Sequence, residues 1–368
     1  SITALPNNLF SLQSGRNDQL TSFVIPDHVT QVGNNVFYDY CALSNVNIDK
    51  LTKIGSYAFY NTALTSVVIP VTITSDSDLG TGAFQGCKKL TSISVAAGSK
   101  LTKIPNYLCD GCTSLVTADF SAISGNVTSI GTGAFQDCIK LTSFDFSQYV
   151  KVTTISASAF YKTGLYTADL SATKITTLSN VFTLCPNLTS IKLPTTVKTS
   201  FGYTAVTNIP SLQTLEFTGE VTAAAIKSVR NYQQLKVIIP ASNTTLVKEG
   251  GVIYDKAKTN IYWVDCGIDL STYTIPSTVT TISDYAFGGT TLGDLVIPTS
   301  VTTIGTYAFQ YATANSITIP ATVTSIGNYA FQRSNIPTVN FANAASSKLT
   351  KLGTYTFQYS KLQSIVIP

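Results

Sequence analysis

The sequence is poor in the side chains on which most enzymes and nucleic-acid-binding proteins depend. Its 368 residues include one histidine, one tryptophan and no methionine, and 11% are charged, with a formal net charge of +4. So few charges argue against a disordered or coiled-coil chain. So small a net charge gives no electrostatic footprint for nucleic acid or an anionic membrane. No run of about 18 apolar residues is present, which argues against a membrane-spanning helix.

What the sequence has in abundance is internal repetition. Residues 279–287, 301–309 and 323–331 all follow the pattern Val-Thr-x-Ile-x-x-Tyr-Ala-Phe, and residues 51–59 differ from it by a leading leucine. A second series of residues recurs with a similar period. Its members are Leu20, Leu43, Leu64, Leu90, Leu115, Leu141, Leu165, Leu188 and Leu212. Their spacing of about 21 to 26 residues lies within the range of leucine-rich repeats.

One repeat is predicted to form a coil with two short extended pieces. In the first piece Leu64, Val67 and Ile69 point inward, Val68 points outward, and Pro70 ends the strand because it has no N–H for a ladder. An Ala-Phe pair after the second piece fills the interior. Because a single coil buries almost nothing, neighbouring coils must stack, which predicts columns of identical side chains and a phenylalanine spine.

The consensus Leu-x-x-Ile-x-Ile-Pro-x-x-Val-x-x-Ile-Gly-x-x-Ala-Phe-x-x-Cys resembles the BspA-like class of leucine-rich repeats, and residues 84–90 and 135–141 match it closely. The resemblance covers nearly the whole chain. It predicts an α/β-type leucine-rich repeat solenoid, strand-rich with little regular helix, in a right-handed coil of about fifteen repeats of 21–26 residues. It also implies a surface-exposed protein of a bacterium or protist that adheres to host matrix or to other cells.

The regularity of the repeats varies along the chain. We predict a regular solenoid over 1–195, degenerate repeats over 196–245, a hairpin-containing variant module over 246–270 and a second regular solenoid over 271–368, together one continuous solenoid. Two alternating strands around a polar turn form the expected hairpin. Both terminal repeats are cut, so we expect the natural chain to continue in at least one direction. The module either only joins the two halves or presents Tyr254, Tyr262 and Trp263 as a ligand cleft.

An acidic column is predicted on the outward side of the first strand. The outward positions of successive repeats are Val24, Asn47, Val68 and Ser94, and then the candidate ligand-binding residues Asp119, Asp145, Asp169, Lys192 and Glu216. Neighbouring aspartates about 5 Å apart would repel each other. One hypothesis is a concave ligand-binding patch, in which Asp119, Asp145 and Asp169 are also a candidate cation site. The other is a solvated acidic stripe without a ligand.

Cysteine and histidine offer little chemistry. Cys87, Cys112, Cys138 and Cys185 share one position in the repeat, and we expect inert core thiols there, with one disulfide among the first three left open. Cys109 and Cys112 form a Cys-x-x-Cys pair, but Cys109 stands in the phenylalanine column, so a zinc or redox site is disfavoured. His28 as the only histidine excludes a histidine-based triad or metal cluster. We predict no cofactor.

The leading functional hypothesis is a non-enzymatic, secreted or cell-surface adhesion module with an extended repeat face. Its partner would be a host matrix protein, a cell-surface protein or a glycan, and no nucleic acid is expected to bind. One rival is a carbohydrate-active, β-helix-like enzyme that uses the column of Asp119, Asp145 and Asp169. Another is a passive stalk or spacer.

Overall fold

In a computed structural model, residues 2–11, 19–198, 208–229 and 234–368 are described, and the chain divides into two compact units. Unit 1 comprises Ser1–Thr196 with Thr204–Leu212, and unit 2 comprises Val197–Tyr203 with Gln213–Pro368. Across the described residues the chain makes about 15 turns of a strand-rich solenoid with almost no helix, which confirms the predicted fold class. Parts of the predicted degenerate region, 199–207 and 230–233, lie outside the described residues.

The strands are short, and most contain two to four residues. Unit 1 contains β1 (Ala4–Leu5), β2 (Ser22–Phe23), β3 (Gln31–Val32), β4 (Asn45–Val46), β5 (Lys53–Ile54), β6 (Ser66–Ile69), β7 (Ser92–Val95), β8 (Lys103–Ile104), β9 (Thr117–Asp119), β10 (Ser129–Ile130), β11 (Thr154–Ile155), β12 (Thr167–Asp169) and β13 (Ser190–Leu193). Unit 2 contains β14 (Thr214–Phe217), β15 (Lys236–Ile238), β16 (Leu246–Glu249), β17 (Val252–Asp255), β18 (Asn260–Val264), β19 (Thr281–Ile282), β20 (Asp294–Val296), β21 (Thr303–Ile304), β22 (Ser316–Ile319), β23 (Ser325–Ile326), β24 (Thr338–Phe341), β25 (Lys351–Leu352) and β26 (Ser364–Ile365).

Among the residues that the structure describes, helical structure is confined to short helices of three to six residues. The α-helix α1 (Ala223–Ser228) lies in unit 2, and the 3₁₀ helices are η1 (Asp76–Asp78), η2 (Ser121–Ile123), η3 (Phe146–Gln148) and η4 (Ala344–Ser346). Within the described ranges, no helix has the length and apolar character needed to cross a bilayer.

Strands from successive turns pair in parallel to form short ladders in both units. In unit 2, β19, β21, β23 and β25 pair in sequence order, and β20, β22, β24 and β26 form the second ladder. In β6 the residues alternate between exposed and buried, so Val67 and Ile69 face the core while Val68 faces solvent. This alternation is the one that the Leu-Thr-Ser-Val-Val-Ile-Pro piece predicted.

The predicted phenylalanine spine is present in both units. Consecutive rings stack at centroid distances of 5.4 Å (Phe37 and Phe59) and 5.6 Å (Phe59 and Phe84) in unit 1. In unit 2 the rings of Phe287, Phe309, Phe331 and Phe357 follow each other at 5.1, 5.1 and 5.2 Å. Cys109 takes the phenylalanine position of its turn and is fully buried. The spine fills the interior in which each turn buries its apolar side.

The glycine of the Ile-Gly pair has a packing role. The residue after the glycine begins the next corner, where a turn permits glycine, but space is the stricter requirement. A Cβ on Gly327 would lie 2.5 Å from the amide nitrogen of Thr306 and 2.6 Å from the carbonyl carbon of Gly305. Gly353 meets the backbone of Asn328 in the same way, at 2.4 Å. The residue is glycine because the backbone of the preceding turn leaves no room for a side chain.

The predicted hairpin is a three-stranded antiparallel meander. Strands β16, β17 and β18 pair antiparallel, and β18 then pairs parallel with β19. Two turns are therefore present instead of one, because Gly250 and Gly251, both with positive φ, reverse the chain inside the segment that was predicted as one strand. The meander ends in the regular ladder of unit 2.

Candidate functional site

The outward column of the strand ladder lies in register within unit 1. Val68 of β6 is paired with Ser94 of β7, and Ser94 with Asp119 of β9. Farther along, Asp169 of β12 is paired with Lys192 of β13. Side chains at paired positions of parallel strands lie on the same face. The alignment of repeats therefore agrees with the register within each of these two separate sheets, whereas Asp145 between them lies in no strand.

The three aspartates of this column cap corners of their own turns. An Oδ1 atom of Asp119 accepts the amide N–H of Ser121 at 2.9 Å, and Asp169 accepts that of Ser171 at 3.0 Å. Asp145 is the N-cap of η3 and accepts the amide N–H of Ser147 at 3.0 Å. Such local hydrogen bonds stabilise a turn after an extended residue.

A short sequence motif accounts for this corner-capping role, and the sequence analysis did not identify it. The segments 119–121, 145–147 and 169–171 read Asp-Phe-Ser or Asp-Leu-Ser, as does 269–271 in unit 2. There Asp269 accepts the amide N–H of Ser271 at 2.9 Å. The motif replaces the Ile-Pro that ends the strand in other repeats. The aspartates are therefore explained by the corner of the repeat.

The hydrogen bonds keep two of these carboxylates ionised. The Ser121 hydroxyl and amide lower the pKa of Asp119, and Ser147 and Gln148 lower the pKa of Asp145. Buried Tyr149 lies near both charges, and its burial, followed by the two carboxylates, raises the pKa of its phenol. The carboxylates of Asp119 and Asp145 are therefore both negatively charged at neutral pH.

The predicted cation site lacks the necessary grouping. In the described part of the chain, no three histidine, cysteine, aspartate or glutamate side chains lie close enough together to hold a metal ion. Both carboxylate oxygens of Asp145 accept hydrogen bonds from neighbouring residues. Oδ1 also accepts the Ser147 hydroxyl at 2.6 Å, and Oδ2 accepts the Gln148 amide at 2.9 Å. The geometry gives the three aspartates a structural role.

The two remaining members of the predicted column lie in different units. Lys192 adjoins Asp169 in unit 1, whereas Glu216 lies on β14 of unit 2 opposite Ile238 of β15. The ligand-binding role of the column stays a prediction.

The aromatic side chains of the meander do not line one cleft. Tyr254 belongs to the hydrophobic core of unit 2, is 3% exposed, and its hydroxyl lies 2.7 Å from that of Tyr273. Trp263 is 5% exposed and donates its indole N–H to Asp265 at 3.2 Å. Tyr262 is half-buried, with the Lys227 ammonium 5.3 Å from its ring centroid. The structure buries two of the three rings, so it does not bring them together as an open aromatic site.

The repeats are matched by the family model of the BspA type leucine-rich repeat region (6 copies), over residues 5–125, 102–236 and 262–368. The chain belongs to this family. Leucine-rich repeat proteins are in general binding modules without enzymatic activity. No curated protein matches the chain.

Three solved structures are similar to this BspA type chain. A leucine-rich repeat protein from Bacteroides ovatus is 19% identical over 92% of this chain and 76% of that one, with a TM-score of 0.45. One from Eubacterium ventriosum is 23% identical, covers 76% and 80%, and has a TM-score of 0.42. A leucine-rich cell surface protein from Faecalibacterium prausnitzii is 18% identical, covers 95% and 87%, and has a TM-score of 0.33.

The cysteines of the BspA type repeats are core groups. The thiols of Cys87, Cys112, Cys138 and Cys185 each lie 3.0–3.1 Å from a backbone carbonyl of the preceding turn. All seven cysteines are free, so the disulfide that was left open does not form. Burial raises the pKa of Cys87, Cys112 and Cys138, which suppresses the reactive thiolate. The expectation of inert core thiols is confirmed.

An apolar groove that the sequence analysis missed opens on the strand face of unit 1. It has a volume of about 330 Å³ and lies where β4 and β6, the outer strands of two separate sheets, face each other. Val46 and Ile48 line one side, and Val68 and Val71 line the other. A volume of this size suits a small ligand. Repeat periodicity predicts continuous ladders, so it could not predict that the sheets of β4 and β6 are separate.

Proposed function

We propose that this BspA type chain is a non-enzymatic adhesion module, located at the cell surface or secreted, that binds a macromolecule through its strand face. The partner is a host matrix protein, a cell-surface protein or a glycan. The observation that carries the proposal is the outward column of Val68, Ser94 and Asp119, held side by side by parallel register. Stacked repeats present such a face over several turns, which suits a partner larger than a metabolite.

The physical character of the column supports contact with a surface. Val68 is 56% exposed and Val116 is 51% exposed, so apolar area lies beside ionised carboxylates. Interfaces combine apolar cores with polar rims in this manner. The aspartates are held by their own turns, which favours recognition of a preformed surface over catalysis by mobile acids. The buried thiols of Cys87, Cys112 and Cys138, whose thiolate form is suppressed, are compatible with an oxidising medium.

The test is a binding assay on purified matrix proteins and a glycan array. A face variant carries Val68→Lys, Ser94→Lys and Lys192→Glu, none of which replaces a corner aspartate. A control variant carries Lys53→Glu and Lys103→Glu, which are exposed positions on β5 and β8. We expect the face variant to lose at least ten-fold in affinity and the control variant to bind like the wild type.

The assay also has outcomes that reject the proposal. Equal losses in both variants would place the contact elsewhere, and no binding to any probe by the wild type would favour the passive stalk. Reproducible glycan cleavage that disappears in Asp145→Asn would favour the enzyme. Labelling of intact cells of the source organism with an antibody to the chain tests the location.

A further inference from the structure

A second surface of unit 2 is built at a backbone position that bulky residues rarely occupy. In each turn the residue two positions after the spine phenylalanine has a left-handed backbone. In unit 1 these residues are Asp39, Asn61, Gly86, Gly111, Asp137, Lys162 and Leu184. In unit 2 they are Gly289, Tyr311, Arg333 and Tyr359, with φ of 57°, 54° and 58° for the last three.

A left-handed backbone is inexpensive for glycine and asparagine and costs of the order of 1 kcal/mol for other residues. The last three turns therefore place tyrosine, arginine and tyrosine where a smaller residue would be more stable. The repeat imposes this backbone in each of these turns, so what distinguishes the last three turns is the side chains that they place there.

The three side chains form a layered cluster, here called the Arg333 sandwich. The guanidinium carbon of Arg333 lies 5.7 Å from the ring centroid of Tyr311 and 5.5 Å from that of Tyr359. Both distances are within the range of cation–π attraction. The Nη1 atom of Arg333 also donates to the hydroxyl of Tyr311 at 3.1 Å. The guanidinium plane is thus held between two rings.

The cation in this sandwich is exposed and has no acidic partner. No carboxylate in the described ranges forms an ion pair with Arg333. A guanidinium has five N–H donors in a planar fork, and one bond to Tyr311 leaves most of them available. Because the group is already ordered, an oxyanion that binds the fork loses little conformational freedom of the side chain.

The surroundings of the sandwich suit a sugar. The ring of Tyr359 is 73% exposed, and Gln332, which precedes Arg333 in the sequence, donates its amide to Gln358 at 2.6 Å. An aromatic ring packs against the C–H face of a sugar, and phenol and amide groups bond to its hydroxyls. Four basic residues and one acidic residue follow Tyr285 in the sequence, which attracts a polyanion at long range.

We propose that the Arg333 sandwich binds the carboxylate or sulfate group of an acidic polysaccharide. A sugar carries ring, hydroxyls and anion within one residue, so it matches an aromatic ring beside a guanidinium better than an acidic peptide does. The proposal rests on the proposed function only in that the chain is a binding module. Its site is separate from the strand-face column of unit 1.

The test measures dissociation constants of the full chain for four polymers by calorimetry. Heparin oligosaccharides carry sulfate, oligogalacturonate carries carboxylate, dextran is neutral, and polyglutamate is an acidic peptide. We expect binding to heparin, oligogalacturonate or both, with a steep decrease in added salt, and none to dextran. Which of the two polysaccharides binds more tightly identifies the anion.

Four variants locate the contact. Arg333→Gln should weaken binding ten-fold or more, since hydrogen bonds to charged groups are among the strongest. Arg333→Lys should lose several-fold, because it keeps the charge without the planar fork. Lys351→Gln removes an exposed cation outside the sandwich and should change affinity less than three-fold. Arg333→Gly should lose binding while the melting temperature stays unchanged or rises, because glycine relieves the left-handed backbone.

Three results would overturn the proposal. Equal losses in Arg333→Gln and Lys351→Gln would show diffuse charge attraction, and polyglutamate binding at least as tightly as the polysaccharides would assign an acidic peptide. If the wild type binds neither polysaccharide, the proposed binding site is rejected. If that wild type still binds a matrix protein through its strand face, only this inference fails and the proposed function stands.

Discussion

The phenylalanine spines of the two units differ in how evenly their rings stack. In unit 2 the planes of Phe287, Phe309 and Phe331 are within 4° of parallel. In unit 1 the planes of Phe135 and Phe160 differ by 26°. Repeat spacing is not the cause, because Phe331 and Phe357 are 26 residues apart and still stack with an angle of 11°.

Additional aromatic side chains account for the tilt in unit 1. Phe144 and Phe146 pack edge-on against Phe160 at 5.1 and 5.3 Å. Edge-to-face contacts are favourable aromatic geometries, so the ring of Phe160 turns to meet both. The ladder of backbone hydrogen bonds decides where each spine ring lies, and the neighbouring core decides its angle.

The units also differ at the column that follows the spine. In unit 1, Asp110 accepts the amide of Gln85 at 2.7 Å, and burial and then the charge of Asp137 raise the pKa of Asp110 from 3.8 to about 6. In unit 2 the same column holds neutral glutamines, and Gln310 donates its amide to Gln332 at 2.7 Å. One repeat position thus carries a titratable group in unit 1 and an uncharged amide ladder in unit 2.

The largest effect is expected from truncation of a spine ring. Phe160→Ala should destabilise unit 1 by about 4–5 kcal/mol and Phe309→Ala should destabilise unit 2 by about 3 kcal/mol, because both leave a cavity. Phe160 has four aromatic neighbours within 6 Å, whereas Phe309 has two. Hydrogen exchange followed by mass spectrometry reads the two units separately. Equal costs would mean that the flanking rings add no stability.

A second difference concerns ion pairs. In unit 2 the ammonium of Lys248 pairs with the buried carboxylate of Asp265, which also accepts the amide N–H of Val237 at 3.0 Å. Asp265→Ala should cost about 3 kcal/mol, because it leaves a mostly buried cation unpaired. In unit 1 the pair of Lys50 and Asp27 is exposed, and Asp27→Ala should leave the denaturation midpoint unchanged.

The matched control replaces both charges, as Lys248→Met with Asp265→Asn. It should recover part of the stability that Asp265→Ala loses, since no unpaired charge remains. Destabilisation of the double variant beyond Asp265→Ala would show that the charge itself stabilises the meander.

The smallest effect is a pH dependence confined to unit 1. Since the folded pKa of Asp110 is raised to about 6 from 3.8, the folded state holds its proton more tightly than the unfolded state. The contribution of this group to stability is complete below about pH 4 and is lost as the pH rises through 6. Asp110→Asn should flatten the denaturation midpoint of unit 1 between pH 4.5 and 6.5 and raise it at pH 7.

Unit 2 provides the internal control for this titration. Its corresponding residues are Gly288, Gln310, Gln332 and Gln358, none of which titrates, so its midpoint should not change over that range in either protein. A wild-type unit 1 with a flat profile, or a variant that keeps the slope, would contradict the assignment to Asp110.

Much of the fold was predictable because the same pattern of buried residues recurs in many repeats. The period of the leucine and phenylalanine ladders predicted the stacking of turns, and the alternation in Leu-Thr-Ser-Val-Val-Ile-Pro predicted the inward faces of β6. The meander was predicted with one strand too few, because Gly250 and Gly251 were not taken as a turn. A pair of adjacent glycines is a turn signal that the sequence does contain.

The candidate sites were less predictable. The register of Asp119 with Ser94 agrees with the alignment of repeats. The residues two positions after Asp119 and Asp145, Ser121 and Ser147, decide that the two carboxylates cap corners. Tyr254 is buried in the hydrophobic core of unit 2, whereas Trp263 is buried outside that cluster. An aromatic residue in sequence gives no sign of which side will be covered. The Arg333 sandwich forms only because three consecutive turns bring Tyr311, Arg333 and Tyr359 next to each other.

The sequence by itself determined the stacked repeats, since a coil that repeats every 21 to 26 residues with one apolar edge buries that edge only against its own copies. Only the tertiary structure decided which glycines are compelled by the backbone of the preceding turn, where the sheets separate beside β4, and which polar residues meet solvent. These depend on distances between turns, and such distances arise when residues far apart in the chain are packed together.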